Sequence, residues 1–285
     1  LDGERCAPGT AVAMLPEETI YFIGLHGGEG ENGAVQGFLE IGSRRFTGSG
    51  GGASALCMDK HAARLVGAEA GLLVSPAQLV DAAAWAERKL EILRSATALS
   101  SDSWAVKPNC GGSSVATSIV ERAEDLGPAI ERALATGDRA LVERRILGTE
   151  ATCGVLGNAA GELQALTPVE IIPHAGRFFD WEQKYSARGA EENCPPKTID
   201  AEGCRRLRDL AIRAHRATGC DGYSRADFIV PARGGEPGPA IPVQGERAAQ
   251  PGSERLRRAR RFDRGLHRPH RRSGFGRGSG GRSRS

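Results

Sequence analysis

Apolar and polar positions along this chain switch between two periods. A four-residue apolar run, Ile20-Tyr21-Phe22-Ile23, predicts a buried strand that ends at Gly24. Helical spacing follows from Ala34 to Ile41, from Ser54 to Ala70 and from Gln78 to Thr97. Trp104-Ala105-Val106 predicts a strand, Ala116 to Val120 a second, Asp125 to Ala135 a helix, and Ala140 to Val142 a strand leading to Glu143. Past Glu150 the texture changes. Two apolar segments, Thr152 to Leu156 and Leu163 to Ile172, flank Gly157-Asn158-Ala159-Ala160-Gly161 and predict a hairpin. A polar loop from Pro173 to Ile199, a helix from Ala201 to Thr218 and a strand from Arg225 to Val230 complete the pattern. There is no internal repeat. The mixture is α/β, with antiparallel sheet expected in the second half.

Between these elements lie loops suited to chemistry. His26 to Gly33 is laced with glycine beyond a strand end, and Thr47 to Gly52 is a second Gly/Ser loop. The third is the most informative. Val106-Lys107-Pro108-Asn109-Cys110-Gly111-Gly112-Ser113-Ser114-Val115 delivers a lysine, then glycines whose N–H groups can crowd a polyanion, then two hydroxyls. The lysine precedes the glycines, so this is not the GxxxxGK[ST] phosphate loop. A Gly-Gly-Ser-Ser run by itself is equally a plain surface turn.

Composition narrows the setting. The 285 residues, 40% of them apolar, suffice for two or three modules with real cores. No run approaches the ~20 apolar residues of a membrane span, and Leu1-Asp2-Gly3-Glu4-Arg5 leads into no signal peptide. Cysteines at 6, 57, 110, 153, 194, 204 and 220 are odd in number and contain no Cys-x-x-Cys pair, which argues for reduced, cytosolic thiols. The net charge of +3 hides two parts: residues 242–285 hold 13 arginines, no lysine and three acids, a balance of +10, which leaves −7 for the preceding 241. An Arg-rich tail is a candidate nucleic-acid binder, yet no aromatic interleaving supports base stacking.

Charged groups gather at element ends: Lys60 after Met58-Asp59, Lys107, Glu143, Glu150 seven residues on, and Asp227 alternating with Arg225, so that both share one strand face. Two lysines for phosphates, acids for ribose and adenine-side contacts, and an acid for Mg²⁺ would make a nucleotide site. Bland readings stand beside each: Lys60 as a solvated helix residue, Glu143 paired with Arg144 or Arg145, Asp227 paired across a sheet.

The segments taken together resemble the D-alanine–D-alanine ligases of the ATP-grasp group. Those that carry the likeness are His26-Gly27…Gly30-Glu31-Asn32-Gly33…Gln36-Gly37; Phe46-Thr47-Gly48-Ser49-Gly50 with Ala53-Ser54-Ala55 and Met58-Asp59-Lys60; Val106-Lys107-Pro108…Gly112-Ser113-Ser114-Val115; Glu143…Gly148-Thr149-Glu150; Phe179-Asp180-Trp181-Glu182-Gln183-Lys184-Tyr185; and Gly219-Cys220…Gly222…Arg225-Ala226-Asp227-Phe228. They occur in order over about residues 20–230. The resemblance implies an ATP-grasp fold with the remnant of an N-terminal α/β domain. Residues 1–57 would be part of a substrate domain, 58–141 and 142–241 the two ATP-grasp subdomains, and 242–285 an aberrant Arg-rich tail. It implies that ATP phosphorylates one D-alanine and that the amine of a second attacks the acyl phosphate, in peptidoglycan precursor synthesis. Lys60, Lys107, Glu143 and Glu150 would bind ATP, with Phe178 an adenine-side contact and Lys184 neutralising the γ-phosphate. Arg225 would stabilise the oxyanion, Asp227 would hold Mg²⁺ or Mn²⁺, and Ser113 and Tyr185 would fix the first D-alanine near His26. The Lys184-Tyr185 pair favours alanine ligases over relatives that use lactate. A cytoplasmic enzyme, a homodimer, and no nucleic-acid or membrane partner follow from the same likeness.

Two departures matter. The family's amino-terminal glycine turn, with the glutamate that orients the first alanine, has no counterpart in Leu1 to Glu18. The Glu-x-Asn of the second metal site is also broken: Glu246 stands at the right distance from Pro251-Gly252, but Ala248 replaces asparagine. Gly-Glu-Arg-Ala-Ala can be encoded by GGT GAA CGC GCT GCC, and reading one base later gives Val-Asn-Ala-Leu-Pro, which resembles the missing segment. Gln244 would then stand in the place of the glutamate. Residues from about Gly245 onward are therefore expected to be a frameshift product, and the chain as written to be inactive or crippled. Other readings are an ATP-grasp carboxylate–amine ligase with another substrate, a nucleotide-binding remnant without turnover, or a basic-tailed interaction protein.

Overall fold

The computed structural model describes residues 6–25, 27–110, 116–158, 160–172 and 191–231, with the backbone of 241–243. All of these lie in the first of two compact units, Leu1–Arg247; the second, Ala248–Ser285, lies outside the described residues. The elements in order are α1 (Pro8–Ala13), β1 (Ile20–Tyr21), α2 (Ala34–Ile41), β2 (Arg45–Phe46), α3 (Gly51–Met58), α4 (Lys60–Glu69), β3 (Ala77–Val80), α5 (Ala82–Thr97), β4 (Trp104–Pro108), β5 (Ser118–Val120), α6 (Leu126–Leu134), β6 (Ala140–Arg144), β7 (Gly148–Leu156), β8 (Gln164–Ala165), β9 (Val169–Ile172), β10 (Glu191–Asn193), α7 (Ala201–Ala217), β11 (Tyr223–Pro231) and β12 (Ile241–Val243).

Two antiparallel sheets organise them. One has the order β3-β6-β4-β5, the other β10-β9-β7-β11-β12 with β8 on β7. In the first sheet Trp104, Val106, Val120, Ala140 and Val142 turn toward α5 and α6 and form one core with Trp85, Ile92, Ala96, Leu126, Ala129, Ile130 and Ala133. The spacing Leu126, Ala129, Ile130, Ala133 is a single helical stripe, and all four are fully buried. The second core sets Ala151, Cys153 and Val155 of β7 and Ala226 and Phe228 of β11 against Leu207, Ala211 and Ala214 of α7. Since strand side chains alternate, each sheet keeps a second face for charged groups.

Several elements differ from the sequence reading. The strand expected over Ile20 to Ile23 shrinks to β1, which among the described residues pairs with β2 alone, in parallel. With a single ladder it is not buried: Ile20 is 44% and Phe22 68% exposed, and only Ile23 is sequestered. The Gly/Ser loop stops at Gly50, because α3 begins at Gly51. The helix expected from Ser54 to Ala70 is two helices. Asp59 is extended, with φ −80° and ψ 99°, and its carboxylate caps α4 by accepting from the Ala62 N–H at 2.9 Å; a capping aspartate competes with helix continuation. Gln78 to Val80, read as helix, is strand β3 on β6, and α5 starts only after Asp81, which caps the Ala84 N–H at 2.8 Å. Pairing with a distant strand overrides the local period. Leu163 to Ile172 divides into β8 and β9, both on β7, around Pro168, which has no N–H to give a ladder. The polar loop from Pro173 to Ile199 ends in a further strand, β10, which the edge of β9 recruits.

Candidate functional site

Charged side chains converge in two groups, one on each sheet. In the first, β4 and β6 pair Ala105 with Glu143 and Lys107 with Leu141, which puts Lys107 and Glu143 on the face opposite the α5/α6 core. Helix α4 supplies Lys60 and Arg64, four residues apart and hence on one face. Glu143 is 6% exposed. Its Oε1 accepts from Arg64 Nη1 at 2.5 Å and its Oε2 pairs with Lys107 Nζ. Burial pushes the Glu143 carboxyl up, but Lys107, Arg64 and Lys60 outweigh burial and hold it below the usual carboxylate range. Arg64 also donates to the Ser75 carbonyl, and the Ser75 hydroxyl donates to the Arg144 carbonyl at 2.5 Å. The pairing of Glu143 with Arg144 or Arg145 is thus corrected: Arg145 lies 3.6 Å from Glu121 instead.

Lys60 is not a solvated helix residue either. Its ammonium donates to the carbonyls of Pro108 and Asn109, both at 3.1 Å, where the lysine–glycine loop departs from β4. Asn109 is fully buried and reads the start of α4 twice: its Oδ1 accepts from the His61 N–H and its Nδ2 donates to Asp59 Oδ1, each at 2.9 Å. Arg139 donates to the other Asp59 oxygen at 2.8 Å. Burial, reinforced by the nearby Lys107 charge, brings the Lys60 ammonium down to about 8.

In the second group, β7 and β11 set Glu150 opposite Ile229, Thr152 opposite Asp227 and Gly154 opposite Arg225. Glu150, Thr152, Arg225 and Asp227 therefore share the face that α7 does not cover. Arg225 Nε and Nη2 reach Asp227 Oδ1 and Oδ2 at 3.0 and 3.2 Å, and the Thr152 hydroxyl donates to Asp227 Oδ1 at 2.7 Å. The pairing of Asp227 across a sheet is thus present, through Thr152. Asp227 first, then Glu31 and Glu150, raise the Arg225 guanidinium against the opposing effect of burial. Glu31 comes from the His26–Gly33 loop, and that segment of the chain is seated close by. Gly48, at φ +89°, lies under the Tyr223 ring, where an added Cβ would be 3.1 Å away. Ser49 Oγ accepts from the Asp221 N–H at 2.9 Å, and the thiols of Cys57 and Cys220 are 3.8 Å apart.

The structure thus brings Lys60, Lys107 and Glu143 together, and separately Glu150, Arg225 and Asp227. His26, Ser113, Phe178, Lys184 and Tyr185 lie outside the described residues. Sequence reasoning passed over Arg64, Asn109 and Thr152. Arg64 was signalled by its place one helical turn after Lys60, and Thr152 by alternation with Glu150; Asn109 carried no signal beyond its place after Lys107-Pro108.

Residues 66–236 match the family described as D-ala D-ala ligase C-terminus. The chain belongs to the D-alanine–D-alanine ligase family. Among curated D-alanine–D-alanine ligases it is 38% identical over 218 residues to that of Halalkalibacterium halodurans, covering 76% of this chain and 68% of the relative. It is 43% identical over 217 residues to that of Geobacter sulfurreducens, covering 76% and 64%. Among solved structures it is similar to the VanG D-Ala:D-Ser ligase from Enterococcus faecalis, with TM-score 0.69, 30% identity, and coverage of 79% of this chain and 63% of that one. The chain spans roughly three fifths to two thirds of such relatives. Its fold is the ATP-grasp fold of these ligases, with charged groups on one face of each antiparallel sheet. No described helix is long and apolar enough to cross a membrane.

Proposed function

We propose that this chain carries the ATP-binding part of a ligase that joins two D-alanines. The observation that supports it best is the pair of charged groups on two sheets joined by residues 145–147: one rich in cations around a buried carboxylate, the other presenting a half-buried carboxylate and guanidinium on the face that α7 does not cover. In this reading the γ-phosphoryl of ATP passes to the carboxylate of the first D-alanine, releasing ADP. The amine of the second attacks the acyl phosphate carbon, and phosphate leaves. Lys60 and Lys107 neutralise phosphate oxygens, Glu143 and Glu150 take the adenine and ribose side, and Arg225 meets the oxyanion of the tetrahedral intermediate; phosphoryl transfer asks mainly for such positioning and charge. Phe178, Lys184, Ser113, Tyr185 and His26 take their family roles. Residues 58–141 and 142–241 are the two ATP-grasp subdomains, 1–57 belongs to a substrate domain, and 242–285 is an aberrant tail.

Asp227 fits a Mg²⁺ ligand. It is a hard oxygen donor on the sheet face that α7 does not cover, oriented by Thr152 and Arg225, and Mg²⁺ characteristically takes one or two carboxylates plus nucleotide phosphates. Among the described residues no three His, Cys, Asp or Glu side chains converge on a metal site; in this reading the nucleotide phosphates would supply further oxygens to the ion. The cation would offset charge on the transferred phosphoryl group. A cytoplasmic homodimer supplying peptidoglycan precursors completes the proposal.

Calorimetric titration with ATP and Mg²⁺, followed by ADP release with D-alanine, D-serine, D-lactate and L-alanine, tests it. The expected result is Mg²⁺-dependent ATP binding and slow ADP release stimulated by D-alanine. Absence of ATP binding, or preference for another acceptor, overturns it. ATP binding with no release on any acceptor favours the second reading, a nucleotide-binding remnant, which Ala248 in place of the family's asparagine supports.

A further inference from the structure

Two of the backbone N–H groups that open α4 find their acceptors on another element. The Lys60 N–H donates to the Asn109 carbonyl at 3.1 Å and the His61 N–H to Asn109 Oδ1 at 2.9 Å. Asp59 serves the next two: its side chain takes the Ala62 N–H and its carbonyl the Ala63 N–H, each at 2.9 Å. The first N–H groups of a helix have no partner within it and need a cap; here the cap is shared between Asp59 and a residue at the end of β4. With these donors taken, the group that the start of α4 offers to an anion is the Lys60 side chain.

Asn109 holds that side chain as well. Lys60 Nζ donates to the Asn109 carbonyl, the same oxygen that takes the Lys60 N–H, and to the Pro108 carbonyl. The lysine is thereby fastened at both ends. A lysine that grips a ligand gives up much of its rotamer freedom, and Lys60 has given it up on folding. Carbonyl oxygens carry no net charge, so they orient the ammonium without neutralising it. Asn109 in turn is fully buried and fixed to the sheet that carries Lys107: its N–H donates to the Arg139 carbonyl at 2.8 Å, directly after the Pro108–Ala140 pair of β4 and β6. Its Nδ2 donates to Asp59 Oδ1 at 2.9 Å. We propose that Asn109 is a positioning residue of the nucleotide site: it fastens the start of α4 to the end of β4 and so holds the Lys60 ammonium beside Lys107. The inference rests on the reading above, in which both lysines meet phosphates. The two cations repel, since the Lys107 charge helps to lower the Lys60 ammonium; the frame around Asn109 keeps them together until a polyanion relieves the repulsion.

The test is ATP affinity by calorimetry with Mg²⁺ at one pH, in Asn109→Ala, Lys60→Met and their double variant, with near-UV circular dichroism to monitor folding. Asn109→Ala removes both side-chain ties and should weaken ATP binding about fivefold, the order of re-immobilising one lysine. In the Lys60→Met background the same change should cost less than about twofold, because the residue it positions is gone. Asp59 supplies a second check. Asp59→Asn keeps the oxygen that meets Asn109 Nδ2 and gives up only the ion pair with Arg139, so affinity should stay within about twofold of the parent, whereas Asp59→Ala should approach the loss of Asn109→Ala. Equal losses from Asn109→Ala with and without Lys60, or Asp59→Asn as damaging as Asp59→Ala, overturn the inference. Should Asn109→Ala fail to fold, Asn109→Ser, polar but one atom shorter, is compared in the same two backgrounds and decides in the same way. If the parent chain binds no ATP, the functional proposal falls; if the parent binds and Asn109→Ala matches it, only this inference falls.

Discussion

Glu143 and Asp227 are both carboxylates on strands, both paired with an arginine, and physically they are opposites. Glu143 is buried on the sheet formed by β3–β6, has one cation on each oxygen, and cannot lose either cheaply. Asp227 sits on the face of the other sheet that α7 does not cover, its side chain 32% exposed, and its arginine also lies in the field of Glu31 and Glu150. A saturated, buried carboxylate is suited to holding an architecture around a ligand. A partly solvated one, oriented but not saturated, is suited to taking on a new partner such as a cation.

That contrast can be broken by experiment. The largest effect should be on stability. Glu143→Gln leaves Arg64 and Lys107 without their anion and should cost about 3–5 kcal/mol, whereas Asp227→Asn should cost at most about 1 kcal/mol; chemical denaturation compares them. Similar losses would erase the distinction. Next, Asp227→Asn should remove roughly a tenfold gain in ATP affinity on adding Mg²⁺, since one of the few protein ligands is lost, while leaving metal-free ATP binding within about twofold; calorimetry with and without Mg²⁺ separates the two. A smaller effect belongs to Lys60. Burial lowers its ammonium to about 8, so its proton is lost as pH rises through that value, whereas phosphate binding needs it. ATP affinity should therefore fall about fivefold between pH 7.5 and 9, and Lys60→Arg should flatten the profile. The smallest is Thr152→Val, which removes one donor to Asp227 and should weaken Mg²⁺-dependent binding by at most about 1 kcal/mol.

Strands β4, β6, β7 and β11 and most of the charged residues were legible in the sequence for one reason: strand alternation and glycine-rich loops are local signals. Arg225 and Asp227 two apart on one strand, and Lys107 just before a glycine run, needed no tertiary information. What escaped was non-local. The partner of Glu143 comes from a helix 79 residues earlier in the chain, so the adjacent arginines were the natural guess and the wrong one. Strands β3 and β10 carry no period of their own and exist because β6 and β9 offer an edge. The break at Asp59 was readable in principle as an N-cap, but the apolar spacing ran through it.

The central claim is that the two charged groups belong to one nucleotide site, with Lys60 and Lys107 on the phosphates and Asp227 on the metal. Crystals of the chain grown with Mn²⁺ and a non-hydrolysable ATP analogue test it directly by anomalous diffraction. The account predicts one manganese peak in bonding contact with the Asp227 carboxylate and the terminal phosphates, with the Lys107 ammonium within hydrogen-bond reach of a phosphate. Nucleotide bound away from Lys107, or manganese held without Asp227, would contradict it.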